Sequence, residues 1–255
     1  MDEIKNEKEL ILGRNPVMEA IKNNETISKI VTLKGGQGSV KKIIGLAKDN
    51  NIMIQYADRV AMDRMCDGQN HQGIIAVASA FEYCEVEDIL EKAKEKGQEP
   101  FIVILDGIED PHNLGAIIRT AEIAGVHGII IPKRRACEVT ETVIRASAGA
   151  VEYMMVAKTS NIVQSMEKLK KQGVWIAACD MGGEPYYQGN MTGGFALVVG
   201  GEGKGVSRLV REKCDFALTI PMQGQINSLN ASNAAAVILT EAMLQRFEGL
   251  KPRRK

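Results

Sequence analysis

The sequence predicts an α/β protein: a larger C-terminal part built on a parallel sheet, preceded by a small, separate alternating α/β unit. Three observations predict it. From Phe101 onward, short apolar runs alternate with helix-length stretches, the rhythm of a parallel sheet covered by helices on both faces. Between residues 81 and 100 that rhythm gives way to charge and ends at Pro100. The polar, glycine-bearing segments of the C-terminal part all fall directly after predicted strands, where open parallel sheets bind their ligands.

The elements follow in order. Asn15-Pro16 reads as a cap with proline at the first helical position, opening a helix through Ile21. Ile27–Leu33 and Ile52–Tyr56 read as strands, Val40–Lys48 as the helix between them, and Ile74–Ala80 as a buried strand. These make up a first domain over 1–80. Residues 81–100 form the expected linker, with a helix over Val86–Lys96. The second domain, 101–250, has predicted strands at Phe101–Leu105, Gly128–Ile131, Val174–Ala178, Ala196–Val199 and Phe216–Ile220. Its predicted helices are Leu114–Ala124, Asn161–Lys171, Ser207–Glu212 and Leu229–Phe247. A basic tail, 251–255, closes the chain.

Composition narrows the function classes. At 255 residues, 45% hydrophobic and 25% charged, the chain can bury one large core or two modest ones. No apolar run reaches the roughly 18 residues that span a bilayer, and the polar start lacks a signal peptide's apolar core, so a cytoplasmic protein with no membrane partner is expected. The five cysteines are scattered, without a Cys-x-x-Cys pair, and there are three histidines, which favours reduced structural thiols and no metal. Net charge is zero, so nucleic-acid binding would depend on local patches such as Lys133-Arg134-Arg135, after a predicted strand, or Lys251-Pro-Arg-Arg-Lys255.

Three segments carry candidate chemistry. In Asp110-Pro-His-Asn-Leu-Gly-Ala-Ile-Ile-Arg-Thr-Ala121, Asn113 is placed to cap a helix, and Arg119 stands among Ile117, Ile118 and Ala121, where an arginine calls for an anionic partner. Gly200-Gly-Glu-Gly-Lys-Gly205 is not a P-loop, because Val198 stands where the first glycine belongs and Gly205 follows Lys204. Nor is it a dinucleotide fingerprint, because Val206 takes the last glycine position. Four glycines around Glu202 suit a tight loop beside a neutral or cationic group. The third segment, Ile220-Pro-Met-Gln-Gly-Gln-Ile-Asn-Ser-Leu-Asn-Ala-Ser232, passes from a strand through a polar loop to a helix of small residues, with Ser228 as the expected cap.

Together, in this order, the three segments resemble the motifs of the SpoU (TrmH) branch of the SPOUT methyltransferases over about 101–247. Leu12-Gly-Arg-Asn-Pro-Val-Met-Glu-Ala-Ile21 and His71-Gln-Gly-Ile-Ile-Ala76 resemble the L30e-like RNA-binding domain of the guanosine-2′-O-methyltransferases acting on large-subunit ribosomal RNA. The resemblance implies a deep trefoil knot, a homodimer, and methyl transfer from S-adenosylmethionine to a ribose 2′-hydroxyl of that RNA. It further implies Arg119, Asn113, Glu202, Ser228 and Asn230 as catalytic residues, and Gly200, Ile220, Met222, Ser228 and Leu229 as the cofactor pocket. Arginine side chains stay protonated in proteins, so the role expected of Arg119 is to bind a phosphate and polarise the hydroxyl. Methylation of transfer RNA, or RNA binding without catalysis, remain the alternatives. A nucleotide-dependent oxidoreductase fails on the glycine spacing.

Overall fold

The computed structural model describes residues 10–247 except 24, 26, 51, 79, 80, 226 and 227. The predicted tail 251–255 and the last two residues of the predicted strand Ile74–Ala80 lie outside the described residues. The chain forms two compact units: one from the residues up to Glu82 with Cys137–Val143, the other from Tyr83–Ala136 with the residues from Ile144 onward. No helix among the described residues is long and apolar enough to cross a membrane. Among the described residues no cysteine forms a disulfide.

In the first unit the order is β1 (Leu10–Leu12), α1 (Arg14–Lys22), β2 (Ile27–Leu33), α2 (Ser39–Asp49), β3 (Met53–Ala57), α3 (Arg59–Met65) and β4 (Ile74–Ala78). The strands pair as β1-β4-β2-β3, antiparallel except for β2 with β3. Ile30, Ile74 and Ala76 pack with α1 and α2, while Val31, Ile75 and Val77 pack with Met62 of α3 and the adjoining Cys66. That split follows the period of two along each strand. Helix α1 is capped at Gly13, two residues before the predicted Asn15 cap. Gly13, at φ 95, turns the chain out of β1 while its N–H holds Ile74 O at 3.2 Å, and Pro16 falls inside the first turn, where its missing N–H costs nothing.

From Tyr83 the order is α4 (Val86–Glu95), β5 (Phe101–Asp106), α5 (Pro111–Ile123), β6 (Gly128–Pro132), α6 (Glu141–Ala146), β7 (Met155–Thr159), α7 (Ile162–Lys171), β8 (Trp175–Pro185), β9 (Phe195–Gly200), α8 (Arg208–Lys213), β10 (Phe216–Thr219) and α9 (Ala231–Arg246). Six strands form an all-parallel sheet in the order β10-β8-β9-β5-β6-β7. Ile102 and Ile104 share a core with Val86 and Ile89 of α4, Met166 and Leu169 of α7, and Val210 of α8. The alternate residue Phe101 faces the other way, under the guanidinium of Arg246 at the end of α9. Helices therefore cover both faces. The stretch 81–100, predicted as a linker, packs from Tyr83 on with this unit through α4.

At the amino edge of the sheet, His127 is 1% exposed. Its Nδ1 accepts from Phe101 N–H at 3.0 Å, which leaves Nε2 to donate to Gln98 Oε1 at 2.9 Å. Burial, then the charges of Lys96, Arg246 and Lys92, push its pKa down to about 4. The unfolded chain, with an ordinary histidine pKa of about 6.5, takes up the proton at higher pH than the folded one. Stability from this group is therefore whole above about 6.5 and is lost as pH falls toward about 4. Urea midpoints near neutral pH and near pH 5 should differ less for His127→Gln than for the wild type. An unchanged difference would remove His127 as the cause.

Candidate active site

The carboxyl edge of the larger sheet is made of loops that only glycine permits. Strand β9 ends at Gly200, where a Cβ would lie 2.0 Å from the carbonyl carbon of Gly205. A Cβ on Gly201 would lie 2.1 Å from Gly107 O, after β5. The loop closes on itself through Gly205 N–H to Gly201 O at 2.9 Å, with Gly203 and Gly205 at φ 79 and 62. Asp106 fastens it at both ends: its carbonyl accepts from Gly201 N–H at 3.0 Å, and its Oδ2 from Ser207 N–H at 2.7 Å. Glu202 is thereby held out at the tip of a short, braced turn.

Two helix starts differ from the sequence prediction, and both differences build the site. Helix α5 is capped by Asp110, whose carboxylate accepts from His112 N–H at 2.9 Å, with Pro111 at the first helical position. Proline's fixed φ sets the start there, so Asn113 stands at the third helical position, 5% exposed, with its amide available for another partner. Helix α9 is capped by Asn230 rather than Ser228, so Leu229 and Asn230 precede the helix. Asn230 Oδ1 accepts from Ser232 N–H at 2.9 Å and Asn233 N–H at 3.3 Å. The amides of the two asparagines then meet the loop carboxylate: Glu202 Oε1 accepts from Asn113 Nδ2 at 3.0 Å and from Asn230 Nδ2 at 2.7 Å. Asn230 Nδ2 also donates to Asn113 Oδ1 at 2.8 Å. A carboxylate that takes two amide N–H groups is fixed in position.

Beside this triangle lies a cavity of about 500 Å³, within the range of small-molecule sites. Gly200, Glu202, Ile220, Met222, Ser228, Leu229 and Asn230 all line it. The same cavity is lined by Cys179, Asp180 and Met181, which the sequence analysis did not single out. They come from a wide bulge in β8: the pairing with β10 jumps from Ala178 opposite Ala217 to Glu184 opposite Leu218. The signal was Gly182-Gly183. Gly182 has φ 80, and a Cβ on Gly183 would lie 2.4 Å from Ala217 O. Burial, then the charge of Asp180, pushes the Cys179 thiol up to about 11, so it stands in the wall as a neutral group. Asp180 itself pairs with Arg211 at 3.2 Å.

Arg119 is placed differently from the prediction. Ile117, Ile118 and Ala121 are buried, but Arg119 lies on the exposed side of α5, where its side chain needs no buried anion. It makes no ion pair with Glu202, and it is not among the residues lining the cavity.

Comparison with known proteins shows the family of the fold. The SpoU rRNA Methylase family model matches residues 100–240. The chain belongs to that family. A model for RNA 2′-O ribose methyltransferase substrate binding matches residues 10–84, so the whole architecture is that of the RNA 2′-O-ribose methyltransferases. YacO of Bacillus subtilis (strain 168), classed among TrmH family tRNA/rRNA methyltransferases, is 44% identical over 92% of this chain and 95% of its own. A Staphylococcus saprophyticus relative of the same class is 42% identical over 94% and 97%. Among solved structures, the SpoU methyltransferase AviRb from Streptomyces viridochromogenes, in complex with the cofactor AdoMet, shares the fold at a TM-score of 0.59, with 22% identity over 92% of this chain and 89% of that one. The A. aeolicus TrmH/SpoU tRNA modifying enzyme matches at 0.55, with 30% identity over 64% and 85%. The SpoU family uses S-adenosylmethionine.

Asn230 joins helix and site, and the two contributions are separable. Asn230→Ala should destabilise the protein by about 1–2 kcal/mol, as the loss of a cap does. Asn230→Ser restores a capping oxygen but no amide for Glu202, and thermal unfolding should recover most of that loss. Equal melting of all three proteins would mean that Asn230 does not hold α9.

Proposed function

We propose that this protein transfers a methyl group from S-adenosylmethionine to the 2′-hydroxyl of a guanosine in large-subunit ribosomal RNA. The observation that carries the reading is the convergence of Asn113, Glu202 and Asn230, from three distant segments, beside one cavity that Glu202 and Asn230 line. The cavity suits the cofactor on its own chemistry. Leu218, Ile220, Met222 and Leu229 offer apolar surface to a flat heterocycle, the glycine loop and the segment from Thr219 to Met222 offer backbone groups to its edge, and the Asp180 and Glu202 carboxylates favour a cation. Gly200, Ile220, Met222, Ser228 and Leu229 would hold it. When bound, S-adenosylmethionine supplies a methyl group already activated by its sulfonium.

The chain's own residues must then orient a weak nucleophile. Glu202, fixed by two amides, and Ser228 position the ribose and its neighbours. Asn113 and Asn230 keep Glu202 from turning away. Arg119, exposed and with its planar fork unengaged, binds the phosphate beside the target ribose and polarises the 2′-hydroxyl, whose proton leaves late to solvent. An arginine waiting for an anion belongs on a surface that RNA covers, which supports Arg119 in this role although it does not line the cavity. The same reading includes the rest of the family pattern: an L30e-like first domain gripping folded RNA by shape, a trefoil knot in the second, a homodimer and a cytoplasmic setting. The substrate-binding match over 10–84 supports the first of these. The names of its relatives keep transfer RNA as the second reading.

Methyl transfer from labelled S-adenosylmethionine to separated ribosomal and transfer RNA, with ribose methylation mapped by sequencing, tests this directly. One 2′-O-methylguanosine in large-subunit RNA is expected. Modification of transfer RNA alone would overturn the substrate, and cofactor binding without any transfer would overturn catalysis. Arg119→Ala should lower turnover by at least about 100-fold, as loss of a transition-state contact does, with cofactor affinity nearly unchanged. Arg119→Lys keeps the charge and should still be slow; near-normal turnover would rule out a role for guanidinium geometry.

A further inference from the structure

We infer that the loop Lys133-Arg134-Arg135 is an RNA-backbone clamp beside the active site, gripping consecutive phosphates of the strand that carries the target nucleotide; the inference rests on the RNA reading proposed above. Pro132 ends β6 at the carboxyl edge, and Lys133 N–H donates to Thr159 O at the end of β7 at 2.8 Å, which pins the start of the loop across two strands. Arg135 has φ 55, a left-handed backbone that a long side chain adopts only at a cost, and Ala136 is buried. The loop is thus a fixed turn, and it exposes three consecutive cations. Among the described residues their side chains have no ion-pair partner.

Two further facts point to a polymeric anion. The chain has zero net charge, so its attraction for RNA must come from places where cations are concentrated. Three adjacent like charges also repel one another, and a single bound phosphate would satisfy only one or two of them. A phosphodiester chain brings one negative charge per nucleotide and matches the row. The position fits as well. In the sheet order β9-β5-β6, the loop leaves the same edge as Gly200 and lies two strand spacings across, about 10 Å. That is close enough to hold the backbone flanking a nucleotide presented at the Asn113–Glu202–Asn230 triangle. Arginine's planar fork suits phosphate oxygens, and such contacts read no sequence, so the clamp would set affinity while other residues choose the nucleotide.

The test uses the full chain, with a neutral variant, Lys133→Gln/Arg134→Gln/Arg135→Asn, in which asparagine accepts the left-handed backbone. A charge-preserving control is Lys133→Arg/Arg134→Lys/Arg135→Lys. Binding of bulk large-subunit ribosomal RNA is measured by filter retention across a salt series, alongside methyl transfer at limiting and saturating RNA. In the neutral variant RNA binding should weaken about tenfold or more, and the log–log salt slope should become shallower by about 2, from three phosphates at about 0.7 each. KM for RNA should rise while kcat at saturation stays close to wild type, and the control should keep the wild-type slope. An unchanged slope and affinity in the neutral variant would overturn the clamp, as would a control that loses RNA as badly as the neutral variant. A neutral variant whose slope becomes shallower as expected, with no methylation of the RNA by the wild type, would sink the methylation reading while still supporting the loop as an RNA contact.

Discussion

Close approach of backbone to backbone is the constraint on which the larger unit's working edge depends. Gly200 lies against Gly205, Gly201 against Gly107, and Gly183 against Ala217, each at a distance that excludes even a methyl group. These contacts bring the ends of β5, β8, β9 and β10 into one wall, so a cavity can be lined by main-chain groups that do not move when side chains hop rotamers. The requirement falls on three separate loops at once. Loss of any one glycine would therefore shift its neighbours as well, because the loops brace one another instead of hanging independently from the sheet.

The polar triangle adds direction to that scaffold. Asn113 comes from the first turn of α5, Glu202 from the glycine loop and Asn230 from the cap of α9. A buried or half-buried amide must find partners, and here each amide finds the same carboxylate. Had Asn113 capped α5, as the sequence suggested, its Oδ1 would have gone to its own helix's N–H groups instead of accepting from Asn230 Nδ2. Capping by Asp110 releases Asn113, whereas Asn230 does both jobs because its oxygen caps while its nitrogen reaches Glu202.

Much of this was legible in the sequence, for identifiable reasons. The central strands Phe101–Asp106 and Phe195–Gly200 are continuous apolar runs with no competing pattern, and the glycine-rich and Ser-Leu-Asn segments announce loops at their ends. What escaped has equally physical causes. Leu10–Leu12 is too short to show a period, and Arg59–Met65 buries only Met62, so neither gives a signal of its own. Met155–Thr159 is an edge strand with two buried residues. The bulge carrying Cys179, Asp180 and Met181 depends on a register jump against β10, a partner more than thirty residues away that no local window contains. The exposure of Arg119 likewise depends on which side of α5 packs against α9, and isolated periodicity does not separate a helix edge from a buried stripe.

The triangle also has a history along the chain. Asn113 and Glu202 are 89 residues apart, and Asn230 is 117 from Asn113. Every strand of the larger sheet precedes Asn230, and the cap that completes the triangle exists only once α9 has formed behind it. A chain still being synthesised can therefore assemble its sheet and glycine loop while Glu202 lacks its second amide. The second amide thus reaches Glu202 from a segment that follows every strand of the sheet in chain order.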